Sequence, residues 1–292
     1  MNDIQHTDIP SQSHTLTVHQ AFQGASHFSK LLRQGALLLE ILAGFIASWG
    51  TFSTEVLWGG WASPVMLLLL CSAGGLRMWA RSTQSFAEKC RRVSIRYFSL
   101  GGDVPVSAVS GIVADFPPLW KKFADKHPTG TLDEYYEPTK NLGLGRLREL
   151  NAHSSFYTWR LLRFDGWLLL GTTLITACIG SAIIYAVALP NTDVSHSGKV
   201  LEVTCSLVFV LLMIKALDGS ITSFLAASRT RKIADKLIEP HRLEIESLEE
   251  QVAQYDIERA CGPVVSSLGY KAMREGLQKE WHMYRTDLDD IQ

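Results

Sequence analysis

The segment Trp167–Leu189 carries no charged residue and is built mostly from Leu, Ile, Ala, Val, Thr and Gly. A helix needs about 20 apolar residues to cross the hydrocarbon of a bilayer. A soluble helix of that length keeps a charged or polar stripe for water, and this segment offers no charged face. Three further stretches come close to the same pattern. Gly35–Phe52 is interrupted only by Glu40, and Leu57–Leu76 has no charge. Val200–Ala227 carries Glu202, Lys215 and Asp218. Buried helices of a large soluble core are the alternative reading, and it fits the fourth stretch better than the third. The first stretch is not read as a signal sequence, because a long polar segment, including the Ser/Thr/His/Gln-rich Met1–Gln20, precedes it. That segment reads as a disordered or loosely attached tail.

The stretches pair as two hairpins, joined by Thr51–Gly60 and Pro190–Lys199. Lys and Arg concentrate on the cytoplasmic side of membrane helices. Thr51–Gly60 has neither, and Pro190–Lys199 has only Lys199. By contrast Arg77, Arg81, Lys89, Arg91, Arg92 and Arg96 follow the second stretch, Arg146, Arg148, Arg160 and Arg163 precede the third, and Arg229, Arg231, Lys232 and Lys236 follow the fourth. Both termini and the central segment are therefore expected in the cytoplasm, with the chain a multi-pass protein of the cell inner membrane. Trp49, Trp58 and Trp61 fall at the expected outer boundary and Trp79, Trp159 and Trp167 at the inner one, where an amphipathic ring is favoured. The five cysteines show no metal or redox spacing.

The expected fold is an all-α integral membrane protein with four transmembrane helices in two hairpins, a helical cytoplasmic stalk and a C-terminal helical region. The boundaries are a polar tail over 1–30, hairpins over 31–76 and 167–227, a cytoplasmic segment over 77–166 and C-terminal helices over 228–292. Phe86, Cys90, Val93 and Tyr97 recur at helical spacing, as do Leu147, Leu150, Ser154, Tyr157 and Leu161, so both membrane helices are expected to run on into the stalk. Shorter helices are expected around Val106–Ala114 and Leu119–Lys126. In the C-terminal region Pro240 and Cys261-Gly262-Pro263 read as breaks, and Ile245, Leu248, Val252 and Tyr255 share one face.

A net charge of -1 excludes bulk electrostatic binding of nucleic acid. No zinc, nucleophile-elbow or Walker pattern is present in the sequence, so no catalytic residue and no cofactor is expected. Gly143-Leu144-Gly145 reads as a plain helix start, and Asp133-Glu134 as a solvated pair. Charge within a membrane helix is more informative, because it is costly and tends to pair or to line a cavity. Lys215 and Asp218 are placed to pair on one face. With Glu40 they are the candidate pore-lining residues, and boundary snorkelling is the alternative. Trp120-Lys121-Lys122, Tyr135-Tyr136, Lys140, Arg146 and Arg148 interleave cations with aromatic rings. Lys121, Lys122, Arg146 and Arg148 are the candidate ligand-binding residues, with an ordinary cytoplasmic surface as the alternative.

Tyr135-Tyr136, the Gly-rich Asn141–Gly145, and Arg146–Thr158 leading straight into a membrane hairpin resemble the SLATT-type and related four-transmembrane effectors of bacterial antiviral systems. Those families pair membrane hairpins with long cytoplasmic helices and are encoded beside nucleotidyltransferases. The resemblance implies a homo-oligomeric pore in the lipid bilayer that opens on a nucleotide or oligonucleotide made by such a partner, depolarising the membrane and arresting growth. It covers the layout and the residues just quoted. The polar tail and the acidic C-terminal helices have no counterpart in it. A non-conducting anchor that recruits partners through its cytoplasmic helices is the alternative function.

Overall fold

The computed structural model describes residues 13–52, 56–114, 138–188, 196–238 and 245–289. They form α1 (Ser13–Phe52), α2 (Val56–Leu100), α3 (Val106–Ala114), α4 (Leu144–Ala188), α5 (His196–Ile238), α6 (Ile245–Cys261) and α7 (Ser267–Asp289), with no strand among the described residues. The all-helical class is as expected. Helices α1, α2, α4 and α5 run for 40, 45, 45 and 43 residues. At 1.5 Å per residue each is about 60 Å long or more, roughly twice the hydrocarbon thickness of a bilayer.

α1 packs antiparallel along α2 and α4 along α5. The two hairpins then lie side by side, α1 against α5 and α2 against α4. The seams are made of small residues at heptad spacing. Ala73, Ala80 and Ala87 of α2 are each fully buried, continued by Ser94. They face Ala25, Ser29, Ala36 and Ala43 of α1, which are equally buried. Seven-residue spacing keeps one seam against a partner helix, and side chains this short let two backbones approach closely. The register is fixed where Ser29 Oγ donates to the Ala80 carbonyl at 2.9 Å. In the second hairpin Ser220, Ser223, Ala227, Thr230, Ala234 and Leu237 form the buried stripe of α5. Ser220 Oγ donates to the Gly166 carbonyl at 2.8 Å. A Cβ at Gly166 would lie 3.0 Å from the Phe224 ring, so glycine permits this approach.

Helix α1 begins at Ser13 and not after residue 30. Val18, His19, Ala21 and Ala25 are buried, most of them against Cys90, Val104, Ile112 and Ala87. The latter part of the expected loose tail is therefore a packed helix, because its apolar residues meet the face of α2 carrying Phe86, Cys90 and Val93. α2 ends at a left-handed glycine, Gly101 (φ 75°), and Gly102 N donates back to the Tyr97 carbonyl at 3.1 Å. This closes the helix as a Schellman motif does. α3 spans the expected 106–114, whereas the expected helix at Leu119–Lys126 lies outside the described residues. α6 and α7 lie where the Pro240 and Gly262-Pro263 breaks put them. They cover the lower part of the bundle in a core of Phe156, Trp159, Leu161, Ile233, Leu237, Leu248, Tyr255, Leu277 and Trp281.

The outer faces divide by height. Toward the inter-helix turns, Leu37, Leu38, Ile41 and Leu42 of α1 are exposed, with Val65, Leu67 and Leu68 of α2, Leu174 and Ile175 of α4, and Val210, Leu211, Ile214 and Ile221 of α5. Toward the other end Lys89, Arg92, Arg96, Arg229, Arg231 and Lys232 are exposed, together with single apolar side chains such as Leu100, Val106, Leu142, Ile257, Leu268 and Met283. Among the described residues one helix, over Leu144–Cys178 of α4, is long and apolar enough to cross a membrane. Only 28% of its most apolar window is buried, unlike the core helix of a soluble protein. The other three expected stretches each extend beyond the described side chains, into 47–52, 57–63 and 200–209. Of the three tryptophans expected at the inner boundary, Trp79 and Trp167 are exposed and Trp159 is not. Trp159 is buried in the lower core, beneath the guanidiniums of Arg160 (4.8 Å) and Arg231 (5.4 Å).

Candidate functional site

Two groups of charges are built into the bundle, one at each height. The upper group centres on Glu40, whose side chain is 9% exposed. Lys215 Nζ of α5 donates to Glu40 Oε1 at 2.5 Å, and Arg77 of α2 binds Glu40 Oε2. Side chains lean toward the N-terminus of their own helix. Glu40 on α1 therefore leans away from the turns while Arg77 on α2 leans toward them, which lets the two meet. The expected Lys215–Asp218 pair is not formed, because Lys215 reaches across to the buried carboxylate. Asp218 is exposed and takes part in no ion pair among the described residues; its backbone carbonyl accepts from Thr222 Oγ1 at 2.8 Å. Of the three expected pore-lining residues, two share a contact and the third stands apart.

The lower group joins α2, α4 and α6. Glu88, Arg91 and Asp256 are at most 5% exposed at the side chain and Arg259 is 18% exposed. Arg91 Nε donates to Glu88 Oε2 at 2.6 Å and Arg91 Nη2 to Asp256 Oδ1 at 2.9 Å. Arg259 Nη2 donates to Glu88 Oε1 at 2.7 Å, and Arg92 Nε lies 3.0 Å from Asp256 Oδ2. Tyr255, whose ring sits under the Arg91 guanidinium at 5.1 Å, shares its hydroxyl with Ser154 at 2.8 Å and Thr158 at 3.0 Å. Burial favours the protonated form of Glu88, but the Arg259 and Arg91 charges outweigh it and hold its carboxyl below the usual range. At Asp256 burial wins over Arg91 and Arg92, and the carboxyl stands above its usual range. A buried charge left alone costs several kcal/mol, so these groups persist only as a set. In the sequence Arg91 counts only among the cations that mark the expected cytoplasmic side. Its signal was Glu88 three residues earlier together with Asp256 and Arg259 on the apolar face of α6, a match that needs the tertiary pairing to be recognised.

Of the four expected ligand-binding residues, Lys121 and Lys122 lie outside the described residues, as do Tyr135-Tyr136 and Asp133-Glu134. Arg146 lies over the Phe98 ring at 4.2 Å, and Arg148 Nε donates to the Leu237 carbonyl at 2.5 Å. The latter contact puts a cation at the negative C-terminal end of α5. The two arginines thus serve different helices. Gly143, in the left-handed region at φ 129°, donates its N–H to the Ser99 carbonyl at 2.8 Å, so the α4 start is tied to the end of α2.

The connection between α6 and α7 is clamped onto α4. Asp165 accepts from the Ser266 backbone N–H at 2.7 Å and from the Ser266 hydroxyl. Burial holds the Asp165 carboxyl above its usual range against those two bonds. Arg33 of α1 reaches the same connection and donates to the Val264 carbonyl at 3.4 Å. No known protein family, curated protein or solved structure matches the chain.

Proposed function

We propose that the protein is a four-span, homo-oligomeric membrane pore of bacterial antiviral defence. On this reading a cytoplasmic nucleotide or oligonucleotide signal from a partner nucleotidyltransferase opens it, the membrane depolarises and growth stops. The supporting observation is the belt of exposed Leu, Ile and Val around the turn end of all four long helices. An exposed apolar surface this extensive needs a lipid or protein cover, and a lipid bilayer covers every side of a bundle at once. Both termini then lie in the cell interior, beside the Lys- and Arg-rich lower end. The Glu40–Arg77–Lys215 group supports conduction over simple anchoring, since an anchor gains nothing from charges at membrane depth. The alanine seam draws α1 and α2 close together, so on this reading the path runs between subunits. No enzymatic step enters this reading.

Potassium efflux from liposomes loaded with the purified protein tests it. A panel of cyclic di- and trinucleotides is added outside, with inside-out and right-side-out insertion scored by proteolysis. Efflux with one panel member, from a protein that is oligomeric by light scattering, is the expected result. A monomeric protein that stays silent with every member supports the non-conducting anchor instead.

A further inference from the structure

Where the apolar belt gives way to the lower bundle, cations gather from three segments. Lys30 and Arg33 lie one turn apart on α1, and Arg77 and Arg81 one turn apart on α2. The Ser29–Ala80 bond brings these stretches level. Arg259 closes the group from the end of α6, and Arg33 holds the α6–α7 connection at Val264. Lys30 and Arg33 are half-buried. The acids within reach are already engaged: Glu40 by Arg77 and Lys215, Glu88 by Arg91, Gln84 and Arg259, and Asp165 by Ser266. Among the described residues Lys30, Arg33 and Arg81 have no carboxylate partner within 4.0 Å. Burial, then the like charge of Arg259, lowers the affinity of Lys30 for its proton.

We infer that Lys30, Arg33, Arg81 and Arg259 form a binding site for a phosphate group. Excess positive charge held half out of water is relieved by an anion. Three guanidinium forks and an ammonium suit the several oxygens of a phosphate better than a single carboxylate. Trp79, exposed and packed edge-on against Phe28 at 5.5 Å, marks the same height. On the membrane reading that height is the headgroup layer, so the phosphate belongs to an anionic lipid or to a soluble phosphate compound. Arg259 is also held by Glu88, so an anion seated beside it draws on the same guanidinium and bears on the buried ion set.

The test follows thermal unfolding of the full chain in a neutral detergent. Inorganic phosphate is titrated against chloride at equal ionic strength, and phosphatidylglycerol against phosphatidylcholine at equal mole fraction. Saturable stabilisation by phosphatidylglycerol alone assigns the lipid headgroup. Stabilisation by inorganic phosphate as well assigns a free phosphate site, which stands whether or not the chain spans a membrane. Lys30→Gln with Arg33→Gln should weaken the half-saturating concentration about tenfold for each cation removed, the worth of one charge-assisted bond. Arg33→Lys, which keeps the charge and loses the fork, should fall between. The control pair Lys232→Gln with Lys271→Gln should leave it unchanged. Equal weakening in the control pair, or no response to either anion beyond chloride and phosphatidylcholine, overturns the site.

Discussion

Along α2, Leu67 and Leu68 near the turn are 64% and 67% exposed, whereas Arg91, further down the same helix, is 2% exposed. α4 repeats the contrast, with Ile175 bare at the turn end and Asn151 and Ser155 buried at the other. The seam between the helices scarcely changes in character between these ends: alanine and serine at heptad positions run through both. What changes is the surroundings of the outer face. Below, α6 and α7 cover α4 and α5, and water can solvate what remains, so charge is tolerated inside when paired and outside when alone. Above, none of the described elements covers the leucines, and the ion pairs among the described residues centre on Glu40. One continuous set of helices thus carries two kinds of outer surface, with the change falling near Trp79 and Trp167.

The largest expected effect lies in the lower half. Glu88→Ala removes the carboxylate that both Arg91 and Arg259 share, leaving two guanidiniums buried with less than their due. Breaking a buried pair from one side costs about 3–5 kcal/mol. Thermal unfolding in detergent should show it as a large loss of midpoint. Glu40→Ala in the upper half, by contrast, leaves Arg77 and Lys215, which are 41% and 49% exposed at the side chain and can turn outward. Equal losses at the two positions would erase the contrast between the halves.

A pH scan sharpens it further. Burial lowers His19 and His153 to about 4, with Arg285 and His282 adding to the effect at His153. The unfolded chain takes up these protons near pH 6.5 and the folded chain only near pH 4, so between those values the unfolded state binds more protons. Stability should therefore fall as pH drops from 6.5 toward 4, by up to about 3 kcal/mol per histidine. Both histidines lie in the lower half. His19→Asn and His153→Asn should flatten that limb of the curve, and an unchanged limb in the double variant would move the acid sensitivity to other groups.

Much of this contrast was readable in the sequence, and the missing part has a physical reason. Apolar runs identified the helices, and the breakers Pro240 and Gly262-Pro263 placed the C-terminal pieces, because both signals are local. The seams escaped notice since Ala73, Ala80 and Ala87 are unremarkable singly and carry no hydrophobic period. A search for small residues at seven-residue spacing would have found them. The part of the tail from Ser13 onward is helix and not loose chain, because thinly spread apolar residues such as Val18 and Ala25 bury well only against a partner already in place. Lys215 was paired with its nearest acid along the chain, yet the buried Glu40 of another helix won, since a desolvated carboxylate gains more from a cation than an exposed Asp218 does. The central Lys121 and Lys122 lie outside the described residues, so the expected ligand site stays as sequence drew it.

Overpacking a seam should have a middling effect at either height. Ala80→Leu forces a branched side chain into the contact where Ser29 meets the Ala80 backbone, at a cost of about 1–3 kcal/mol. Ala36→Leu does the same higher up, and similar losses at both would show one seam equally tight at both heights. A much smaller loss at Ala36 would mean the upper hairpin separates easily, as subunit rearrangement in a membrane requires.

The smallest change in stability is expected at Asp218, and there the conductance decides. Asp218 is exposed and takes part in no ion pair among the described residues, so Asp218→Lys should alter unfolding by no more than about 0.5 kcal/mol. If neighbouring subunits meet on this face of α5, symmetry repeats the residue as a ring around the axis, and a ring of charge sets which ions pass. The reversal potential under a salt gradient should then shift toward anions in Asp218→Lys, and by less in Asp218→Asn. Lys215 is tied to Glu40 inside its own subunit, so Lys215→Gln should change the potential less than Asp218→Lys does. The opposite ranking would put the Glu40 group, and not Asp218, beside the ion path. Conducting channels whose potential ignores all three substitutions would place the path away from α5 altogether.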